Sequence, residues 1–277
     1  MNRFAIMQGR LTAPENNAIQ AFPRAAWRDE FPRAATSGLD AIEWIHDAYG
    51  ADANPILTPE GHSEMRALIE EHGIAVRSLC ADWFMDFPFV RCTEDERRIR
   101  IAHLEELLGM VGGVGVSRMV LPFVDNSSLK SAEERETARD ILEHAAPHAR
   151  AAGIELHLET DFGPQDFADF LDGLPEDIVK VNFDSGNSSG LGYPPAEEFA
   201  AWGQRLGSVH IKDRILGGTT MPLGEGSCDF PAVFAGLKAL DYDGDIVLQV
   251  ARGTDGGEVE LARHNRAFVE AGLAAAG

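Results

Sequence analysis

Four stretches decide the fold: Ile154-Glu155-Leu156-His157-Leu158-Glu159, Val179-Lys180-Val181-Asn182-Phe183-Asp184, Ser208-Val209-His210-Ile211-Lys212 and Asp245-Ile246-Val247-Leu248-Gln249-Val250. Polar and apolar residues alternate in each, the pattern of a β-strand with two different faces. Ile154, Leu156 and Leu158 share one face, and Glu155, His157 and Glu159 share the other. Lys180, Asn182 and Asp184 oppose Val179, Val181 and Phe183. Ser208, His210 and Lys212 oppose Val209 and Ile211; Asp245, Val247 and Gln249 oppose Ile246, Leu248 and Val250. Working outward, short apolar runs at 4–8, 41–45, 75–80 and 118–122 predict four more strands. Helical patterns lie between them, at 59–71, 94–110, 131–151, 164–171, 195–202, 230–240 and 258–271. Ser131 and Glu134 form a capping-box pattern, Pro147 predicts a kink, and Pro32 interrupts the helix expected before the second strand.

Eight strands alternating with helices predict an α/β fold with a parallel sheet. Closing eight such units gives the (β/α)8 TIM barrel, with the helices outside. A doubly wound open sheet usually carries a glycine-rich first turn, and Gln8-Gly9-Arg10-Leu11 has no GxGxxG. No linker-like tract divides the chain, so residues 1–277 are read as one domain.

Composition narrows the function. The 24 basic and 45 acidic residues give a formal charge of −21, which argues against nucleic acid and anionic membranes as partners. Cys80, Cys92 and Cys228 are too few and scattered for a disulfide framework. The N-terminal apolar run is too short for a signal peptide, and no run is long enough to span a bilayer. A cytoplasmic protein is expected, and a homo-oligomer is compatible with the chain.

The polar face should point into the barrel, and height along the strand sorts its residues. Glu155, Lys180 and Asp245 stand at strand starts and are expected to form an ion layer at the barrel floor. Glu159, Asp184, His210 and Gln249 stand near strand ends, where active sites of this architecture lie. Two carboxylates, an imidazole and an amide oxygen suit a divalent cation. A hydrogen-bonded polar layer without metal is the competing reading. Gln8, Glu43, Asp82, Lys212 and Arg252 also fall at or just past strand ends, with Arg10 and Arg214 close behind. Together they describe a polar mouth for a polyhydroxylated ligand. Lys212, Arg214 and Arg252 come from the seventh and eighth units, where barrels often hold phosphate; pairing with Asp213, Glu225 and Asp255 is the alternative.

Other signals are weaker. His46, His62, His72 and His103 lack ligand spacing and are expected at the surface, as are His144 and His148 despite their HxxxH spacing. Cys80 could sit at the site's rim, with no nearby His to make it a nucleophile. Trp83 and Phe84 could wall a sugar face. The loop Pro222-Leu223-Gly224-Glu225-Gly226 reads as a lid or a turn.

The chain resembles the sugar phosphate isomerase/epimerase family, the xylose isomerase-like TIM barrels (the AP endonuclease family 2 superfamily). The matching pieces are Met7-Gln8-Gly9-Arg10-Leu11, Ile42-Glu43-Trp44-Ile45, Cys80-Ala81-Asp82, Leu158-Glu159-Thr160-Asp161 and Asn182-Phe183-Asp184-Ser185-Gly186-Asn187. Val209-His210-Ile211-Lys212-Asp213-Arg214, Leu223-Gly224-Glu225-Gly226 and Gln249-Val250-Ala251-Arg252-Gly253 complete them. The resemblance implies a divalent metal (Mn, Mg, Co or Zn) on Glu159, Asp184, His210 and the last strand-end residue. It implies a sugar or sugar phosphate as substrate, with Gln8, Glu43, Asp82, Asn187, Arg214, Glu225 and Arg252 as substrate-binding candidates. Ketose 3-epimerases of this family use two glutamates to move a proton beside the carbonyl. Glu159 matches the first, and Gln249, which carries no titratable proton, stands at the second. Another acid is then required: Lys212, Glu43 or Glu225, in that order. Isomerisation or epimerisation through an enediolate is the expected chemistry, with Glu159 as base. Dehydration of a keto sugar or inosose, or a non-catalytic sugar-binding barrel, are the alternatives. The trinuclear zinc chemistry of endonuclease IV is not expected, because it needs many strand-end histidines.

Overall fold

In the computed structural model, residues 2–15 and 18–276 are described. Seven barrel strands come first: β1 Arg3–Met7, β2 Ala41–Ile45, β3 Ala75–Cys80, β4 Arg118–Phe123, β5 Glu155–Thr160, β6 Val179–Asp184 and β7 Leu206–Ile211. A short antiparallel pair follows, β8 Asp213–Arg214 and β9 Thr220–Met221, and then β10 Asp245–Leu248, the eighth barrel strand. The barrel is closed in the order β1-β10-β7-β6-β5-β4-β3-β2, every pair parallel. Helices run between the strands, as the alternating sequence pattern requires. No helix among the described residues is long and apolar enough to cross a membrane.

The helix Glu30–Thr36 differs from expectation. It starts two residues before Pro32, so the proline lies in the first turn, where its missing N–H costs no intrahelical bond. The helix Ala132–Ala152 runs on through Pro147. Its cap is half the expected box: Ser131 Oγ accepts from Glu134 N, while Glu134 Oε2 accepts from Lys130 N instead of reaching Ser131.

Alternation divides the core into two layers. Outside the barrel, Phe22, Trp27 and Phe31 pack around Trp44 at centroid distances of 5.9, 5.7 and 6.0 Å. Inside, Ala5, Met7, Ile45, Cys80, Val120 and Val247 form a small apolar cluster on one side. On the side of β5, β6 and β7 the interior is polar, with His157, Asn182, Ser208 and His210 all buried.

Asp245 anchors the floor. Its Oδ1 accepts from Arg3 Nε (2.7 Å) and Arg77 Nη2 (3.1 Å), and its Oδ2 from Arg77 Nε (2.9 Å) and Arg118 Nη2 (2.5 Å). The expected ion layer is therefore corrected: Asp245 is held by arginines of β1, β3 and β4, not by Lys180. Arginine's length and forked donors reach across the barrel floor, a geometry a lysine ammonium does not match. Glu155 instead lies 2.9 Å from His157 Nε2. Burial works against the Asp245 carboxylate, but the three guanidinium groups outweigh it and hold the group well below the ordinary 3.8. A depressed carboxylate contributes stability that is present above its unfolded value and is lost as pH falls through the folded one. Asp245→Ala leaves Arg118 buried without its anion and should cost about 3 kcal/mol, read as a lower urea midpoint at pH 7. Its stability should also fall less steeply than wild type on acidification below pH 3.8; an equal slope in both would remove Asp245 as the source.

Candidate active site

Glu159, Asp184 and His210 lie at the C-terminal ends of β5, β6 and β7, all buried, each offering a ligand atom within 4.8 Å of the others. They meet because they share the inward parity and similar height; Asp184 pairs directly with His210 across the β6–β7 ladder. Asp184 also caps the helix Ser185–Leu191, its Oδ1 accepting from Gly186 N (2.8 Å) and Asn187 N (2.9 Å). That leaves Oδ2 for the site.

Glu159 is held from both sides by amide donors. Asn187 Nδ2 donates to Oε1 (2.6 Å) and Asn182 Nδ2 to Oε2 (2.9 Å). Asn182 is fixed in turn by Ser208 Oγ, which donates to its Oδ1 (2.6 Å). The single Ser208 proton is thereby used, so His157 Nδ1, 2.7 Å away, must donate to Ser208 Oγ. A column of buried polar residues thus runs up the barrel and sets the orientation of Glu159.

His210 stands between two carboxylates. Nδ1 is 3.4 Å from Glu159 Oε2, and Nε2 is 2.7 Å from Glu43 Oε1. The Glu43 contact is close but poorly directed, since neither His210 Nε2 nor the Glu43 oxygens makes an aligned hydrogen bond. Burial disfavours the imidazolium, but the attraction of the two facing carboxylates, Glu43 and Glu159, prevails and raises His210 to about 10. Burial also opposes the Glu43 anion, and His210 reverses this, leaving Glu43 below its usual range.

Lys212 follows β7. Its Nζ donates to Asp184 Oδ2 (3.3 Å), Asn187 Oδ1 (3.2 Å) and Gln249 Oε1 (3.5 Å). Gly186 makes room for its stem: a Cβ there would fall 2.5 Å from Lys212 Cγ. Gln249 Nε2 donates to Gln20 Oε1 (3.1 Å), and Gln20 Nε2 to Asp82 Oδ2 (2.7 Å).

A cavity of about 460 Å³ opens above these residues, within the usual range for a small-molecule site. Of the sequence-predicted residues, Glu159, Lys212, Gln249, Asp82, Asn187, Arg214, Arg10 and Cys80 line it. Asp184 and His210 do not line it, but each has a ligand atom within 4.8 Å of one of Glu159, which does. Four others do not line it. Gln8 is fully buried, its Oε1 accepting from Ile45 N. Glu43 is turned into the barrel under His210. Arg252 is bound to the Ile19 and Thr12 carbonyls. Glu225 stands exposed on its loop. In each case the backbone lies near the mouth, but a neighbour or solvent decides the side-chain direction. Gln20, Asp47, Tyr49 and Asp125 also line the cavity, and sequence reasoning misses them. They come from loops, where no periodicity marks direction; a lone amide between Ile19 and Ala21-Phe22 is the only signal for Gln20. Burial raises Asp82 to about 6 despite the bonds from Gln20 and Cys80, and burial pushes Arg10 down to about 9.

Expectations for His46, His62, Trp83 and Phe84 are corrected, while those for Cys80, His144 and His148 hold. His46 and His62 are buried, not at the surface. His46 Nε2 lies 2.8 Å from His103 Nε2, and His62 Nε2 lies 2.7 Å from the Ile56 carbonyl oxygen. Trp83 stacks on His46 (5° between planes) and Phe84 packs on Phe89; Phe84 belongs to the core, Trp83 is partly buried against it, and neither lines the cavity. Cys80 reaches the cavity wall, but burial and then the nearby carboxylates push its thiol well above the ordinary 9.0, so it is no thiolate. His144 and His148 are exposed beside Glu105 on the outer helices, away from the mouth.

A raised histidine contributes stability that is complete below its unfolded value of 6.5 and is lost as pH rises through about 10. Chelator-treated wild type should therefore lose urea resistance between those values. His210→Gln should flatten that dependence; a curve parallel to wild type would show that His210 does not hold its proton between Glu43 and Glu159.

The family model of the xylose isomerase-like TIM barrel matches residues 31–271. L-ribulose-5-phosphate 3-epimerase UlaE of Salmonella paratyphi C is 24% identical over 259 residues, 91% of each chain. Among solved structures, an L-ribulose 3-epimerase superposes with a TM-score of 0.78 at 18% identity, covering 100% of this chain and 96% of that one. The 3-keto-D-glucoside 4-epimerase YcjR of E. coli superposes with 0.71 at 21% identity, covering 98% and 100%. With the closed barrel, the strand-end cluster and a family match over most of its length, this chain belongs to the xylose isomerase-like TIM barrel family.

Proposed function

We propose that this chain, acting as one barrel domain, is an isomerase or epimerase of a small keto sugar or sugar phosphate, moving a proton on the carbon beside the carbonyl. The observation that carries this reading is the convergence of Glu159, Asp184 and His210 under a polar cavity that Lys212 and Gln249 also enter. The epimerase names of the relatives support it.

A divalent cation fits the donors present. Glu159, Asp184 and His210 would hold it, with the Gln249 amide oxygen as a fourth ligand; this mixed O/N set suits Mn, Mg, Co or Zn. Glu43 behind His210 resembles the carboxylate–histidine pairing common at metal sites. When bound, such an ion supplies Lewis-acid stabilisation of the negative charge that develops on the sugar oxygens.

The chain's own residues supply the proton chemistry. Glu159, aimed by Asn182 and Asn187, takes the carbon-bound proton. Gln249 carries no exchangeable acid proton, so it cannot return one. Lys212 is the acid in this reading, because its ammonium reaches Gln249 Oε1 and holds three protons. Glu43 and Glu225 are set aside, one enclosed beneath His210 and one exposed on its loop.

Glu159→Gln should reduce solvent-deuterium incorporation beside the ketose carbonyl by about 100-fold or more, with the fold retained by circular dichroism. Unchanged exchange would remove Glu159 as base. Metal analysis of the purified protein should find about one divalent ion per chain, lost in Asp184→Ala/His210→Ala. Retention in that double variant would exclude these ligands.

A further inference from the structure

We infer that the cavity takes a neutral, unphosphorylated ketose and discriminates against its phosphate ester. The inference rests on the sugar reading above and narrows its substrate class.

A phosphate needs free donors. In barrels they usually come from backbone N–H groups of the late loops and from nearby cations. Here the chain's own carboxylates already occupy those amides. Asp213 Oδ2 accepts from Gly224 N and Gly226 N (both 2.9 Å), and its Oδ1 from Cys228 N (3.0 Å). The glycine loop after β7 is thus closed over an internal anion. The approach is tight, since a Cβ on Gly226 would fall 2.2 Å from Asp213 Oδ1. The turn after β6 is filled in the same way by Asp184, and Gly256 N after β10 donates to Glu258 Oε1 (3.1 Å). Even the turn after β1 is filled: Gly9 N (2.8 Å) and Leu11 N (3.3 Å) donate to the buried Glu30 Oε1.

The cations are equally committed. Arg10 donates to the Val250 and Ile19 carbonyls and to Gln20 Oε1. Arg214 donates to Asn187 Oδ1 and the Gly218 carbonyl. With Lys212, these are the three basic residues on the cavity wall among the described residues, against five carboxylates: Asp47, Asp82, Asp86, Asp125 and Glu159. A phosphate would find these donors already taken, whereas sugar hydroxyls can donate to carboxylates and accept from amides.

The test is calorimetric titration of the wild-type protein with matched pairs of ketopentoses and ketohexoses and their phosphate esters. Solvent-deuterium exchange is followed in parallel. At least one free ketose should bind about tenfold or more tighter than its ester, and inorganic phosphate should not compete. An ester that binds as well as or better than its parent sugar, or competition by inorganic phosphate, overturns the inference. If no member of any pair binds, the sugar reading and this inference fall together. A free ketose that binds in preference to its ester but exchanges no deuterium supports the inference and removes only the proton-transfer reading.

Discussion

The interior of a closed parallel barrel is filled by side chains, so a polar group there must find its partner on another strand. Much of this protein follows from that constraint. The inward residues of β5, β6 and β7 are mostly polar, and they satisfy one another in a column that rises from His157 through Ser208 and Asn182 to Glu159. Beneath, Asp245 gathers three arginines whose charges would otherwise stand at the barrel floor. The inward residues of β1–β4 and β10 include an apolar cluster that needs no such pairing, while Glu43 and Gln8 beside it pair with His210 and the Ile45 amide. Specificity of orientation at the top is therefore inherited from satisfaction of polar groups below.

The same economy of donors shapes the mouth. Asp184, Asp213, Glu30 and Glu258 each close a loop by accepting backbone N–H groups. These contacts fix loops that would otherwise leave amides for solvent or ligand. They also leave the cavity wall rich in carboxylates and amides. Fold stability and ligand chemistry are in this way set by the same residues.

The sequence is most legible where periodicity carries direction. Alternation in β5, β6, β7 and β10 marks which residues face inward, and position along each strand marks height. The meeting of Glu159, Asp184 and His210 therefore follows from residue spacing. Loops and long side chains are the least legible. Glu43 and Gln8 belong to strand ends, yet Glu43 turns under His210 and Gln8 is bound to the Ile45 amide. Arg252 follows a strand end, yet two loop carbonyls hold it away from the cavity. His46 and His62 read as surface residues because no nearby pattern marks them as buried.

Residue order is enough to set the eight-unit α/β succession, the inward face of the late strands and the convergence of three ligand-type side chains. These depend on local periods of two and 3.6 residues, which the chain states directly. The partners were settled by closure of the barrel: three arginines from distant strands on Asp245, Gln20 bridging Gln249 and Asp82, and Asp213 inside the glycine loop. Such pairings depend on which strands closure makes neighbours and on how far a flexible side chain reaches, and neither distance is written in residue spacing.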